Sequence, residues 1–113
     1  MTGDRIPIVS VDEARERLAQ DAVMLDVREP DEWQAGHVAD ATWVPMGELA
    51  ARQDEIPKDR FLVVACRSGN RSARVTQALV AAGYDAANLV GGLQAWAEAG
   101  QPLVRDDGSP GSV

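Results

Sequence analysis

The sequence predicts an α/β protein built on a parallel sheet. Short apolar runs alternate along the chain with amphipathic helical patterns, the order expected when helices connect parallel strands. The run at residues 61–65 has no polar alternation, which is typical of a strand that is covered on both faces and therefore lies centrally in its sheet. The chain has no internal repeat and no interdomain linker, so we expect one domain over residues 1–104.

Candidate strands are short apolar runs bounded by turn residues. In chain order they are Ile8–Val9 and residues 23–25, 42–44, 61–65 and 87–90. Pro45 would stop the third strand, and Gly91 with Gly92 would turn the chain after the last one.

Helical signals lie between and after these strands. The first begins after Ser10, and the second runs from Pro30 through Trp33 to Gly36. The other three cover residues 46–52, residues 71–82 and the segment from Leu93 to Gly100. Ser10 predicts an N-cap, because Glu13 three residues later completes a capping box. Over residues 71–82, the apolar residues recur at helical spacing, and Gly83 suits the helix end.

The chain termini and overall composition bear on location. Residues 105–113 are rich in Asp, Gly, Ser and Pro, which predicts a disordered C-terminal tail. No run is long enough to span a bilayer, and the N-terminus lacks the basic-then-apolar pattern of a secretory signal. We therefore expect a cytoplasmic protein, and the single cysteine agrees with a reducing compartment.

The charge balance argues against several classes of partner. A net charge of −7 disfavours a nucleic-acid or anionic-membrane surface. With one cysteine, one histidine and no ligand cluster, the sequence predicts no metal and no cofactor. An anionic small-molecule substrate remains compatible, because the local charge of a site matters more than the total.

Cys66 is the most informative residue. It follows the central strand and opens a doubly basic, Gly-containing turn before a helix: Cys66-Arg67-Ser68-Gly69-Asn70-Arg71-Ser72. Helix N–H groups, converging turn amides and the arginine charges all favour a thiolate, so we expect a lowered pKa for Cys66. Gly69 supplies the backbone freedom for a tight turn.

The turn has two other interpretations. Cys66 could be an inert core cysteine at a strand end. The basic turn could also bind phosphate without covalent chemistry. The thiol at the mouth of the turn favours nucleophilic catalysis, and the spacing of a Walker loop is absent.

From Ile8 to Pro102 the chain resembles the single-domain rhodanese (thiosulfate sulfurtransferase-like) family. The motifs that carry the resemblance are Leu25-Asp26-Val27-Arg28-Glu29, Glu32-Trp33, Gly36-His37-Val38, Ala41 with Pro45, the turn from Cys66 to Ala73, Gly83-Tyr84, and Leu89-Val90-Gly91-Gly92-Leu93 with Trp96. The resemblance implies a parallel five-stranded sheet flanked by helices on both faces, with the cysteine loop cradling a sulfur atom. It also implies that Cys66 takes sulfur from a small anionic donor such as thiosulfate and passes it from a persulfide to a thiophilic acceptor. The loop residues that would bind the substrate are Arg67, Ser68, Gly69, Asn70, Arg71 and Ser72.

The loop also separates related activities. Cysteine-dependent phosphatases and arsenate reductases use Cys-x5-Arg, whereas here Arg71 comes one residue sooner and Ser72 takes the arginine's place, which disfavours that chemistry. Mercaptopyruvate sulfurtransferases tend to have a less basic loop, so the thiosulfate-using branch is favoured. A different class stays open, in which the protein is a sulfur-relay or binding module that hands sulfur to a protein partner from an exposed, shallow loop.

The remaining polar and aromatic residues have structural interpretations. His37 could be a triad base, but a hydrogen-bonded structural role is favoured. Asp26 and Arg28 are expected to form an ion-pair or hydrogen-bond network that holds neighbouring loops. Trp43 and Trp96 are expected in the core.

Overall fold

The centre of the molecule is a five-stranded parallel sheet. A computed structural model describes residues 5–113. The strands are β1 (Ile8–Val9), β2 (Val23–Asp26), β3 (Thr42–Trp43), β4 (Leu62–Ala65) and β5 (Ala86–Leu89). They pair in parallel in the order β1-β5-β4-β2-β3. The predicted α/β fold is confirmed, and β4 is the central strand as its uninterrupted apolar run indicated.

Helices cover both faces of the sheet. They are α1 (Val11–Gln20), α2 (Pro30–Ala35), α3 (Asn70–Ala81) and α4 (Gly92–Glu98). Ala14 of α1 and Trp96 of α4 belong to one core cluster, whereas Val75 and Leu79 of α3 belong to the other. No helix among the described residues is long and apolar enough to cross a membrane.

The pleat of β4 determines which side of the sheet Cys66 faces. Val63 and Ala65 pack in the cluster that contains α1 and α4, while Leu62 and Val64 pack in the cluster that contains α3. Because side chains alternate along a strand, the next residue, Cys66, falls on the α3 side, where it joins the second cluster.

Two local predictions had different outcomes. The capping box of α1 is confirmed, with Ser10 N donating to Glu13 Oε1 at 2.9 Å and Glu13 N donating to Ser10 Oγ at 3.1 Å. The helix expected over residues 46–52 is wrong in type and length, since only the 3₁₀ turn Met46–Glu48 forms, with a second at Gln53–Glu55. Gly47 disfavours a longer helix.

Residues 105–113 differ from the disordered tail that their composition predicts. Val104 pairs in antiparallel fashion with both His37 and Pro110. Ser112 N donates to Ala35 O at 2.9 Å, and Gly111 N donates to Leu103 O at 2.8 Å. The physical reason is that Asp, Gly, Ser and Pro are also the residues of tight turns, and here they fold the chain end back onto the end of α2.

Candidate active site

Cys66 lies where the central strand meets a helix. It directly follows β4, and α3 begins at Asn70. Between them Gly69 has φ +102°, a left-handed conformation that favours glycine. This conformation turns the chain back toward the sulfur, so that the first amides of α3 face it.

Three hydrogen-bond donors converge on Cys66 Sγ. Gly69 N lies 3.1 Å away, Ser72 N 3.4 Å and Ser72 Oγ 3.3 Å. Amides at the start of a helix have no intrahelical acceptor, so an anion in this position satisfies them. This arrangement can stabilise a negative charge on the sulfur through backbone and hydroxyl donors.

Burial and hydrogen bonding act on the thiol in opposite directions. Burial raises the pKa of Cys66, whose side chain is 1% exposed. Hydrogen bonds from the Ser72 hydroxyl and from the backbone of Ser72, Gly69 and Ser68 outweigh burial and hold that pKa below its ordinary value. The predicted direction is confirmed, but its main cause is hydrogen bonding rather than the arginine charges that the sequence also suggested.

Arg71 is held in an ion pair that the sequence did not reveal. Its Nη1 and Nη2 donate to Glu32 Oε1 and Oε2 at 2.7 and 2.8 Å. Glu32 Oε1 also accepts from Glu29 N at 3.1 Å, which fixes the carboxylate at the start of α2. The bond from Arg71 lowers the pKa of Glu32 to about 2. Part of the positive charge expected at the loop is therefore neutralised by α2.

The start of α4 supports the loop from the other side. Leu93 N donates to Cys66 O, and Gln94 N donates to Arg67 O, both at 2.9 Å. A Cβ on Gly92 would lie 2.5 Å from Arg67 O and 2.6 Å from Cys66 O. The second glycine of the Gly91-Gly92 pair is thus required for close contact with the cysteine loop, in addition to the turn that the sequence predicts.

The loop exposes its side chains but not its sulfur. Arg67, Ser68 and Asn70 are exposed, whereas Cys66, Gly69 and Ser72 are buried. The expectation of an exposed, shallow loop is therefore wrong for Cys66 Sγ, because the turn closes over it. The exposed side chains form a rim around a covered sulfur.

Asn88 of β5 completes the buried polar group, a role that was not predicted from the sequence. Its Oδ1 lies 2.6 Å from Ser72 Oγ, and its Nδ2 donates to Gly69 O at 3.1 Å. The available signal was an amide in the middle of an otherwise apolar strand. A buried Asn requires hydrogen-bond partners, and a neighbouring strand end could have supplied them.

Asp26 and Arg28 form the network that the sequence predicted. Both are buried, and Arg28 Nε and Nη2 donate to the Asp26 carboxylate at 2.8–3.1 Å. Arg28 Nη2 also donates to Gly36 O at 2.7 Å. Because Asp26 pairs with Ala65 in the sheet, this network ties the strand end beside Cys66 to the end of α2.

His37 has structural contacts. Its Nδ1 lies 2.9 Å from Trp33 O, and its ring stacks on Trp33 at 3.6 Å between centroids. Trp43 continues the stack and is only partly buried, while Trp96 is buried in the core as expected. Within residues 5–113, no group of three or more His, Cys, Asp or Glu side chains could hold a metal ion.

The fold and the site define a class of protein: a parallel α/β domain that presents a cysteine sulfur to an amide-lined loop at the carboxyl edge of its sheet. The chain belongs to the rhodanese-like domain family, whose model matches residues 10–99. The predicted resemblance to that family is confirmed.

Individual relatives extend the comparison. A protein from Allochromatium vinosum named a sulfurtransferase is 43% identical over 96 residues, covering 82% of this chain and 90% of that protein. A rhodanese-related protein from Thermoplasma volcanium superposes with a TM-score of 0.82 at 32% identity, covering 87% of this chain and 97% of that one. A thiosulfate sulfurtransferase from Pseudomonas aeruginosa gives a TM-score of 0.79 at 31% identity, covering 96% of this chain and 22% of that one. Two further curated relatives are longer, and this chain spans 54% and 21% of them.

Proposed function

We propose that this protein is a sulfurtransferase that carries sulfane sulfur on Cys66. The single observation that carries the proposal is the convergence of Gly69 N, Ser72 N and Ser72 Oγ on Cys66 Sγ. These donors favour an ionised sulfur, which is the nucleophilic form. Membership of the rhodanese-like family and the sulfurtransferase names of relatives support the same activity.

The proposed reaction has two displacements. The Cys66 thiolate attacks the outer sulfur of thiosulfate, the bond between the two sulfur atoms breaks, and sulfite leaves with the electron pair. The product is a persulfide whose outer sulfur carries the negative charge. An acceptor such as cyanide then attacks that outer sulfur, which releases thiocyanate and restores the thiolate. Charge and atoms balance in both steps, and no base is required.

The loop supports this chemistry through preorganised donors. Amides at the start of α3 can stabilise negative charge on either sulfur, because they are fixed before reaction. Arg67 is exposed on the rim, where it can attract an anionic donor. Arg71 is less available for that role, since it is paired with Glu32.

Transfer to cyanide tests the proposal. The native protein should form thiocyanate from thiosulfate and cyanide, and Cys66→Ser should form none, with native far-ultraviolet circular dichroism as the check on folding. A Cys66→Ser protein that still formed thiocyanate would rule the proposal out.

A second candidate is a sulfur relay to a protein acceptor. The observation that favours it is the exposed rim of Arg67, Ser68 and Asn70, which offers a protein acceptor a contact surface beside Cys66. Slow turnover with cyanide, combined with transfer of labelled sulfur to one specific protein, would favour the relay. Equal transfer to any small thiol would argue against it.

Phosphatase activity remains disfavoured. In addition to the Cys-x4-Arg spacing, the arginine of that motif, Arg71, is engaged by Glu32. Hydrolysis of an aryl phosphate that depends on Cys66 would revive that alternative.

A further inference from the structure

Ser72 has one hydroxyl proton and two acceptors within reach. Its Oγ lies 3.3 Å from Cys66 Sγ and 2.6 Å from Asn88 Oδ1. All three residues are at least nine-tenths buried. A hydroxyl can donate only one hydrogen bond at a time, so the sulfur and the amide oxygen compete for it.

The orientation of the Asn88 amide is fixed by its second contact. Gly69 O lies 3.1 Å from Asn88 Nδ2, and a carbonyl oxygen can only accept. The NH₂ group must therefore face Gly69, which leaves Oδ1 facing Ser72. In this orientation Asn88 cannot donate to Ser72 Oγ, and it acts there only as an acceptor.

Two proton arrangements follow. In the thiol form, Cys66 S–H donates to Ser72 Oγ, whose own proton goes to Asn88 Oδ1, and every group is satisfied. In the thiolate form, the cysteine proton has left to solvent and the Ser72 hydroxyl turns to the sulfur. Ser72 Oγ and Asn88 Oδ1 then face each other without a proton between them, which is unfavourable at their short separation.

We propose that Asn88 is a positioning residue that competes with Cys66 for the Ser72 hydroxyl and so favours states in which Sγ carries no charge. Those states are the thiol and the persulfide, because in the persulfide the charge lies on the outer sulfur. The inference rests on the proposed function for its significance: Asn88 would limit thiolate in the unloaded protein and favour retention of bound sulfur.

Other charged groups near Cys66 act independently of this competition. Arg71 of α3 has its pKa raised first by Glu32 and also by the charge of Cys66. Further charged groups on the adjoining segments are Asp26 at the end of β2, Arg28 after it, Glu29 and Glu32 at the start of α2, and Arg67 of the loop. They are unchanged by substitution of Asn88 and contribute equally to each variant compared below.

The test is the titration of Cys66 in four proteins without any sulfur donor. Thiolate absorbance is measured against pH in the native protein, Asn88→Leu, Ser72→Ala and the double variant, with Cys66→Ser as the blank. Asn88→Leu should lower the pKa of Cys66 by about one unit, a roughly tenfold rise in the thiolate-to-thiol ratio. Ser72→Ala should raise that pKa, and Asn88→Leu should have no further effect in the Ser72→Ala background.

The double variant separates competition from a merely structural role. If Asn88 only holds the loop through Gly69 O, its loss would disorder the amide donors and raise the pKa of Cys66 in both backgrounds. A raised pKa of Cys66 in both backgrounds, or an unchanged pKa of Cys66 in both, overturns the inference. Thr76→Val is the matched control, because Thr76 Oγ1 donates to the Ser72 carbonyl at 2.8 Å and does not contact the hydroxyl. It should leave the pKa of Cys66 unchanged.

Two safeguards keep the result interpretable. If Asn88→Leu does not fold, Asn88→Ala removes the same acceptor and carries the same expected direction. Because no sulfur donor is present, the titration can be interpreted even if thiosulfate is not a substrate. Failure of the proposed function and failure of this inference therefore give different results.

Discussion

Glu32 and Arg71 are joined by two parallel hydrogen bonds of 2.7 and 2.8 Å that link α2 to the first turn of α3. A bidentate pair of this kind fixes the arginine in direction as well as in position. The cysteine loop is therefore held by a carboxylate from one neighbouring helix and by the backbone of α4 from another. The same pair reduces the net positive charge near Cys66.

Removing the carboxylate charge should change both stability and the thiol. Glu32→Gln is expected to reduce the free energy of unfolding by about 1 kcal/mol, a moderate value because the pair is partly exposed. It should also lower the pKa of Cys66, because a negative charge has been removed from its surroundings. Chemical denaturation and thiolate titration measure the two effects.

Glu48→Gln provides the control for this prediction. Glu48 pairs with Arg52 at 2.9 Å on an exposed turn, away from the hydrogen bonds of the loop. Its loss should reduce the free energy of unfolding by less than the loss of Glu32 and leave the pKa of Cys66 unchanged. An unaltered or raised pKa of Cys66 in Glu32→Gln would contradict the account of the loop charge.

Acid should weaken the same ion pair in a defined window. The pKa of Glu32 is lowered from 4.5 to about 2, chiefly by the hydrogen bond from Arg71. Its contribution to stability is therefore complete above pH 4.5 and is lost as the pH falls toward 2. The difference in unfolding free energy between the native protein and Glu32→Gln should shrink over that range. A difference that stays constant down to about pH 2 would show that the pKa of Glu32 is not lowered in this way.

Gly92 and Gly100 form a matched pair for testing contact with the loop. Both have positive φ, +61° and +81°, so alanine is strained at either position. Only Gly92 lies against other atoms, the carbonyl groups of Cys66 and Arg67. Gly100→Ala should reduce the free energy of unfolding by about 1–2 kcal/mol and leave the pKa of Cys66 unchanged. Gly92→Ala should reduce the free energy of unfolding by roughly 1–3 kcal/mol more and raise the pKa of Cys66.

Thermal or chemical denaturation together with thiolate titration distinguishes the two alanine variants. Equal losses of unfolding free energy at both positions would mean that backbone strain alone causes them. In that case the start of α4 would not set the conformation of the cysteine loop.

Removal of residues 105–113 tests whether the chain end is ordered. The deletion takes away the bonds from Gly111 to Leu103 and from Ser112 to Ala35. The free energy of unfolding should fall by about 1–3 kcal/mol, at roughly 0.5–1.5 kcal/mol for each of the two bonds. Asp107→Ala, which removes only the turn bonds to Ser109, should lose less. A deletion that leaves stability unchanged would favour the disordered tail instead.

The sequence predicted features whose cause is local. The strand positions follow from apolar spacing, and the α1 capping box follows from Ser10 with Glu13. The cysteine turn follows from a glycine, Gly69, at a left-handed position. The lowered pKa of Cys66 was predictable for the same reason, since the amides that stabilise it are within six residues in the chain.

The unpredicted features depend on tertiary contacts. Glu32 meets Arg71 across 39 positions and Asn88 meets Ser72 across 16, so no short pattern reports either pair. Burial of Sγ likewise depends on tertiary packing, because Cys66 joins the core cluster on the α3 side of the sheet. The helix predicted over residues 46–52 does not form, because Gly47 disfavours a helix and the chain makes short 3₁₀ turns there instead.

Intact mass of the native protein, with and without thiosulfate, tests most directly whether Cys66 carries sulfur. We predict a gain of one sulfur atom after thiosulfate, its removal by cyanide, and no gain in Cys66→Ser. A native protein that keeps its unloaded mass with thiosulfate and with other sulfane donors, while its thiolate titrates normally, would contradict the account.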